Sequence, residues 1–218
     1  MTLLLLVRHG HTDAAGKRLT GWAPGVHLNE KGREEADALR TRLEEIPVDA
    51  IYSSPLERCR ETAAPLAHAR RLSVRIRKGL IETGYGDWTG RTISQLRRTT
   101  LWKTVERTPS AVRFPGGESL LEVQARTVDE INRIAAGHPK GTAVIVSHAD
   151  PIRLFIAHVA GAHVDHLHRL VIDTASVTAV SMDHGMPRLL KVNDTGGLAS
   201  LGRRGPRAPR TRSAKVRG

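Results

Sequence analysis

The sequence predicts an α/β fold: a three-layer α/β/α sandwich around a mostly parallel, mixed central sheet, with a small helical and loop excursion above it. Three observations predict it. Residues 3–7 (LLLLV) and 143–146 (AVIV) are continuous apolar runs bounded by polar or turn residues, as strands buried on both faces are. Segments with helical apolar spacing alternate with such runs along the chain. No stretch reaches the roughly 18 apolar residues of a membrane helix.

Taken in order, residues 3–7 form the first strand. Asn29 caps a helix with Glu30 in its first turn and Ala36, Leu39 and Leu43 at helical spacing, which Pro47 stops. Residues 50–52 form a second short strand. A helix follows Pro55, with Leu56, Cys59, Ala63, Leu66 and Ala67 on one side. Residues 72–76 alternate like a half-buried strand. Residues 85–117 form the excursion, with polar helix-like material at 93–101. Ser119 and Glu122 make a capping box for a helix running through Val123, Val128, Ile131 and Ile134 to Gly137. After the strand at 143–146, Pro151 suits the first turn of a helix over 152–159. Strands at 177–182 and 188–192 flank a turn at 184–187.

The 218 residues are 39% hydrophobic and 26% charged, with 3% aromatics, so the core is built mainly from Leu, Val, Ile and Ala. Cys59 is the single cysteine, which excludes an internal disulfide and a Cys-based zinc site and fits the cytoplasm. The N-terminal apolar run lacks the basic start and cleavage pattern of a signal peptide, so a soluble protein is expected. The formal charge of +12 is uneven. Seven basic residues and no acid lie between Gly196 and Gly218, which leaves 27 basic against 22 acidic residues before them. The expected organisation is a domain over residues 1–195 and a basic, solvated tail over 196–218.

Residues 3–10 (LLLLVRHG) and 142–149 (TAVIVSHA) echo one another: a buried strand, a polar residue, a histidine, then a small residue. In an open α/β sheet, ligands gather beyond the carboxyl ends of the strands, so His9 and His148 are expected to face one pocket.

Four blocks extend that pair: RHG at 8–10, SSPLERCRET at 53–62, Glu82 before YGDWTG at 85–90, and SHA at 147–149. Together with Thr20-Gly21-Trp22, Leu28, Gly32 and Glu35-Ala36, they resemble the histidine phosphatase superfamily, the phosphoglycerate mutases and their phosphatase relatives. The resemblance spans residues 3–192. It implies a phosphomonoester hydrolase acting on a small phosphorylated metabolite through a phosphohistidine intermediate, with the excursion lying over the active site. Neither a cofactor nor a metal is expected.

The resemblance makes His9 the nucleophile and Glu82 the general acid, later the base. Arg8, Arg58 and His148 become donors to the transferring phosphoryl group, where fixed positive charge and planar donor pairs stabilise the spreading negative charge. Thr12, Thr20, Gly21 and Ala149 join Arg8, Arg58, Glu82 and His148 as substrate- or phosphate-binding positions. Gly10 is expected to turn the chain and let the phosphate approach. Arg60 and Glu61 are placed on the second helix, pairing with neighbours. Two positions depart from the family pattern: Ala15 stands where many relatives carry a phosphate-donating Asn, and His11 where they carry Glu.

Other readings remain. A phosphomutase of the phosphoglycerate mutase type uses the same site; the short excursion with FPGGES at 114–119 favours hydrolysis, whereas KVNDTG at 191–196 resembles a bacterial phosphomutase subgroup. The basic tail offers polyanion or nucleic-acid binding, although the body has few aromatics for stacking bases. His163, His166 and His168 with Asp165 are spaced too tightly for a zinc helix and read as exposed turn residues. The partner expected is the small phosphorylated substrate, with no membrane, and a monomer or homodimer.

Overall fold

The computed structural model describes residues 1–183 and 186–196. His184 and Gly185 of the expected turn, and the tail from residue 197, lie outside the described residues. Among these, β1 (Thr2–Arg8), β2 (Ala50–Ser53), β3 (Val74–Ile76), β4 (Thr142–Ser147), β5 (Val177–Asp183) and β6 (Met186–Asp194) form one sheet in the order β3-β2-β4-β1-β5-β6. The first three pairings in that order are parallel, and β5 runs antiparallel to both β1 and β6. The sheet is therefore mixed, as expected.

Six helices accompany it among the described residues: α1 (Glu30–Arg42), α2 (Glu57–Arg70), α3 (Ile93–Leu96), α4 (Thr100–Arg107), α5 (Leu120–Ala136) and α6 (Ala149–Ala160). The pleat of β1 sorts its leucines between two cores. Leu3, Leu5 and Val7 pack with Leu39 and Leu43 of α1 and with Cys59, Ala63 and Leu66 of α2. Leu4 and Leu6 pack with Ile131 and Ile134 of α5 and with Ile152, Phe155 and Ile156 of α6. A strand apolar at every position is thus satisfied by helices on both faces.

A third core joins the excursion to α5, α6 and the turn at Val164–Arg169. Tyr85, Trp88 and Phe114 are buried there with Leu96, Val105, Val112 and Leu167, and Trp102 stacks on Trp88 at 6.1 Å. Four of the chain's seven aromatics lie in this small body, which explains how so few suffice.

Caps set most helix ends. Asn29 Oδ1 accepts from the Gly32 amide at 3.0 Å, and Ser119 with Glu122 closes the capping box that starts α5. Three expectations need correction. The helix-like stretch 93–101 is two helices, because Thr99 caps α4 by accepting from Trp102 N at 3.2 Å. The strand expected over 72–76 is the shorter edge strand β3, because Leu72 N still closes α2 by donating to Ala67 O at 3.0 Å. Helix α1 ends at Arg42, four residues before Ile46, with Leu43 closing back on Leu39.

Gly10 also differs from expectation. Its amide donates to Thr62 Oγ1 at 2.9 Å, and a Cβ there would sit 2.6 Å from the Gly32 carbonyl oxygen. Close passage of β1's end past α1, rather than an approaching phosphate, demands the glycine. Gly10→Ala is therefore expected to cost about 1–3 kcal/mol through overpacking, read as a lower midpoint in urea unfolding with an unchanged slope.

Candidate active site

The chain leaves β1 toward β2 on one side and leaves β4 toward β5 on the other, so a crevice opens beyond the carboxyl ends of β1 and β4. Register does the rest. Arg8 lies opposite Ser147, and His9 N donates to Ser147 O at 2.9 Å. The rings of His9 and His148 consequently meet edge to face, 5.2 Å between centroids.

A cavity of about 350 Å³ lies over this point, lined on its floor by Arg8, His9, Thr12, Thr20, Glu82 and Ala149. Ala14, Ala15 and Gly16 form one rim, so the alanine that replaces the family's asparagine presents a methyl group to the cavity. Arg58 and His148 are 1% and 0% exposed and sit behind the floor rather than in its lining. Gly21 does not line the cavity either; its carbonyl accepts from Arg58 Nη2 at 2.9 Å, so it holds Arg58 in place.

His9 Nδ1 lies 2.8 Å from Gly10 O, a contact only an N–H can make, which leaves Nε2 with its lone pair. Burial, helped by the Arg58 charge, pulls its pKa down to about 3, so the imidazole is neutral at physiological pH. Burial likewise pushes His148 well below its ordinary value, with Arg58 adding to the effect. His148 therefore stands here as a neutral ring whose Nε2 is 2.8 Å from Ser54 Oγ, not as a cation.

Glu82 moves the other way. Burial, reinforced by the carboxylate of Asp150, raises its pKa to about 7. Its Oε1 accepts from Thr83 N at 2.9 Å and its Oε2 lies 3.8 Å from His148 Nδ1. Beside these groups are unsatisfied donors. Arg8 Nε, Arg58 Nε and Arg58 Nη1 are buried with no hydrogen-bond partner among the described residues. Leaving guanidinium donors unpaired in a protein interior is costly, and a tetrahedral oxyanion is the ligand that would satisfy them. The amino end of α6, starting at Ala149, faces the same cavity and favours negative charge.

Several lining residues carry no motif signal. Tyr85 donates to Asp150 Oδ2 at 2.8 Å, and Asp150 Oδ1 accepts from Arg153 Nη1 at 3.0 Å. Leu19, Ile93, Trp102, Val105, Phe114, Leu120 and Leu167 make the upper wall apolar. Tyr85 opens the YGDWTG block and Asp150 follows SHA, whereas the wall residues come from the excursion (Ile93, Trp102, Val105, Phe114) and from Leu19, Leu120 and Leu167, which only packing brings together. His11 does not line the cavity; its Nδ1 accepts from Asn29 Nδ2 at 3.0 Å. Glu61 pairs with His27 and accepts from Leu28 N at 2.8 Å, and Arg60 is exposed. His163, His166 and His168 are exposed, His163 facing Asp165 at 3.2 Å and His168 bonded to Val105 O at 2.7 Å.

The family described as histidine phosphatase superfamily (branch 1) matches residues 4–195. The chain belongs to that superfamily. This histidine phosphatase is 30% identical over 212 residues to phosphoserine phosphatase 1 of Hydrogenobacter thermophilus, covering 92% of the chain and 96% of the relative. It is 28% identical over 187 residues to the 2,3-bisphosphoglycerate-dependent phosphoglycerate mutase of Thermoplasma acidophilum, covering 85% and 90% respectively. Among solved structures, Bacillus stearothermophilus YhfR superposes with a TM-score of 0.84 at 30% identity, over 89% of this chain and 98% of that one.

The unpaired donors give a direct test. Arg58→Met removes a buried charge held by one hydrogen bond to Gly21, so the melting temperature in phosphate-free buffer is expected to stay level or rise. Inorganic phosphate at a hundred times its dissociation constant should stabilise the wild type by about 2.7 kcal/mol. In Arg58→Met that shift should vanish, as followed by scanning fluorimetry across a phosphate series.

Proposed function

We propose that this histidine phosphatase hydrolyses a small phosphorylated metabolite through a phosphohistidine at His9. The observation that carries this reading is the convergence at one cavity floor of the free His9 Nε2, the unpaired Arg8 donor and a carboxyl group held protonated near neutrality, with the unpaired Arg58 donors directly behind. The phosphatase relative, matched over nearly its whole length, supports hydrolysis.

His9 Nε2 attacks phosphorus while the bond from phosphorus to the alcohol oxygen breaks. Glu82 delivers its proton to that oxygen, and the alcohol departs. Arg8 and Arg58 donate to the three non-bridging oxygens, whose charge is spread in the transition state; His148 adds an N–H. Water then attacks the phosphohistidine, its proton passes to the Glu82 carboxylate, the phosphorus–nitrogen bond breaks and phosphate leaves. Each step moves one proton at Glu82, so the enzyme returns to its starting state.

The apolar upper wall fits an alcohol portion with hydrocarbon surface, and in this reading Thr12, Thr20 and Ala149, which line the same cavity as His9, bind the phosphate. Residues 1–195 form the catalytic domain in this reading and 196–218 a basic appendage, consistent with the family match ending at residue 195. No helix among the described residues is long and apolar enough to cross a membrane, and a single buried cysteine fits the reducing cytoplasm.

His9→Ala is expected to lower phosphate release from phosphomonoesters by more than about a thousandfold, as removal of a covalent nucleophile does. A wild-type enzyme that releases no phosphate but interconverts 2- and 3-phosphoglycerate would instead support the mutase reading, which the Thermoplasma acidophilum relative favours.

The pH dependence follows from the two shifted groups. His9, depressed to about 3, is a competent nucleophile throughout the neutral range. Glu82, raised to about 7, is the required acid below that pH and loses its proton above it. For alkyl phosphates kcat/KM should therefore be level on the acid side and fall as pH rises through about 7, which a pH–rate profile checks.

A further inference from the structure

Arg126 lies on α5, outside the cavity lining, yet all five of its guanidinium N–H groups are engaged, three by the loop that carries Glu82 and two by Glu118. Nη1 donates to Gly79 O at 3.0 Å and to Ile81 O at 2.7 Å, and Nη2 donates to Glu82 O at 2.8 Å. The remaining two go to Glu118, Nε to Oε1 at 2.7 Å and Nη2 to Oε2 at 2.9 Å. Glu118 reaches the far side of the same loop, its Oε2 accepting from Gly84 N at 2.7 Å and its amide donating to Gly84 O at 2.8 Å. A second donor, Trp22 Nε1, meets Glu82 O at 2.5 Å.

The contrast with Arg8 and Arg58 is chemical. Those two keep unpaired donors beside the cavity, whereas Arg126 has none left for a ligand. Its fork and the Glu118 carboxylate together bond to backbone groups on both sides of Glu82. The segment itself is a short 3₁₀ turn (Lys78–Leu80) followed by irregular chain, with no strand or long helix to hold it. Glu82 is thus the one proposed catalytic side chain not fixed by a sheet or an adjoining helix.

We infer that Arg126 and Glu118 form a clamp that positions Glu82 for proton delivery to the leaving alcohol. The inference rests on the reading of Glu82 as the acid. Lysine cannot replace Arg126, because its ammonium is a single point of charge and cannot span three carbonyls and a carboxylate with planar geometry. Displacing a proton donor by about 1 Å costs on the order of a hundredfold, but only where the leaving group needs a proton.

The test compares Arg126→Lys, Glu118→Gln and Glu82→Gln with wild type, using propyl phosphate and 2,4-dinitrophenyl phosphate as leaving-group extremes. The readout is the first-turnover burst of alcohol release, with vanadate affinity measured alongside. Both clamp variants are expected to slow release of propanol by about 10- to 100-fold and that of dinitrophenol by less than about threefold, with vanadate affinity unchanged. Glu82→Gln should show the same selectivity more strongly. Equal slowing of both substrates, or slowing of neither, in the clamp variants would overturn the inference while Glu82→Gln retains its selectivity. Loss of selectivity in Glu82→Gln itself would overturn the reading of Glu82 instead. Should Arg126→Lys fail to fold, Glu118→Gln alone decides, since it keeps the side-chain shape and an oxygen acceptor.

Discussion

The parallel pairing of β1 with β4, in register from Leu3 opposite Thr142 to Arg8 opposite Ser147, holds every other part of the site in place. A strand buried on both faces can slip by one residue only by exchanging its two faces, which here would trade the α1–α2 core for the α5–α6 core. The register is therefore rigid, and the residues just past each strand inherit that rigidity. His9 and His148 meet because both strands end together, and β2, one strand further out, brings Ser54 and the start of α2 to the same edge.

Electrostatics follow from that geometry. Several ionisable groups are drawn into one buried region, and burial acts on each according to the charge it would carry. Imidazoles lose their proton and become neutral; the Glu82 carboxyl keeps its proton to become neutral as well. The arginines cannot follow, since a guanidinium does not deprotonate, and so they remain as fixed positive charges with unused donors. In the proposed reading, nucleophile, acid and anion receptor all arise from one cause, the exclusion of water at the strand ends.

The remaining architecture serves to hold or to cover. Gly10 and Gly32 let α1 pass the end of β1 at backbone contact, and the Thr62 hydroxyl ties that turn to α2. The excursion contributes part of the wall: an aromatic core shared with α5, α6 and the turn at Val164–Arg169 seats it above the sheet, with Ile93, Trp102 and Val105 lining the cavity. The Glu82 loop is the exception to strand-borne rigidity, and Arg126 of α5, with Glu118 just before that helix, bonds to its backbone on both sides of Glu82.

The layered fold, both histidines and the paired arginines were legible in the sequence, because each belongs to a continuous local pattern: an apolar run, a capping box, a short motif at a strand end. Arg8, His9, Thr12, Thr20, Glu82 and Ala149 line the cavity as the motifs implied, and Ala15 does so as a methyl group. What required tertiary structure was anything set by contacts between distant segments. Arg58 and His148 lie behind the cavity floor, Gly21 serves through its carbonyl, and Gly10 answers to α1 instead of to phosphate. Phe114 and Glu118 belong to the FPGGES stretch, but neither that stretch nor the sequence around Arg126 signals the wall or the contact between Arg126 and Glu118, since a leucine or an ion pair reads the same wherever the chain folds it. Strand and helix choice, capping and the chemistry of a motif are properties of neighbours in sequence. Charge state, donor satisfaction and cavity shape are properties of neighbours in space, and only the folded chain decides them.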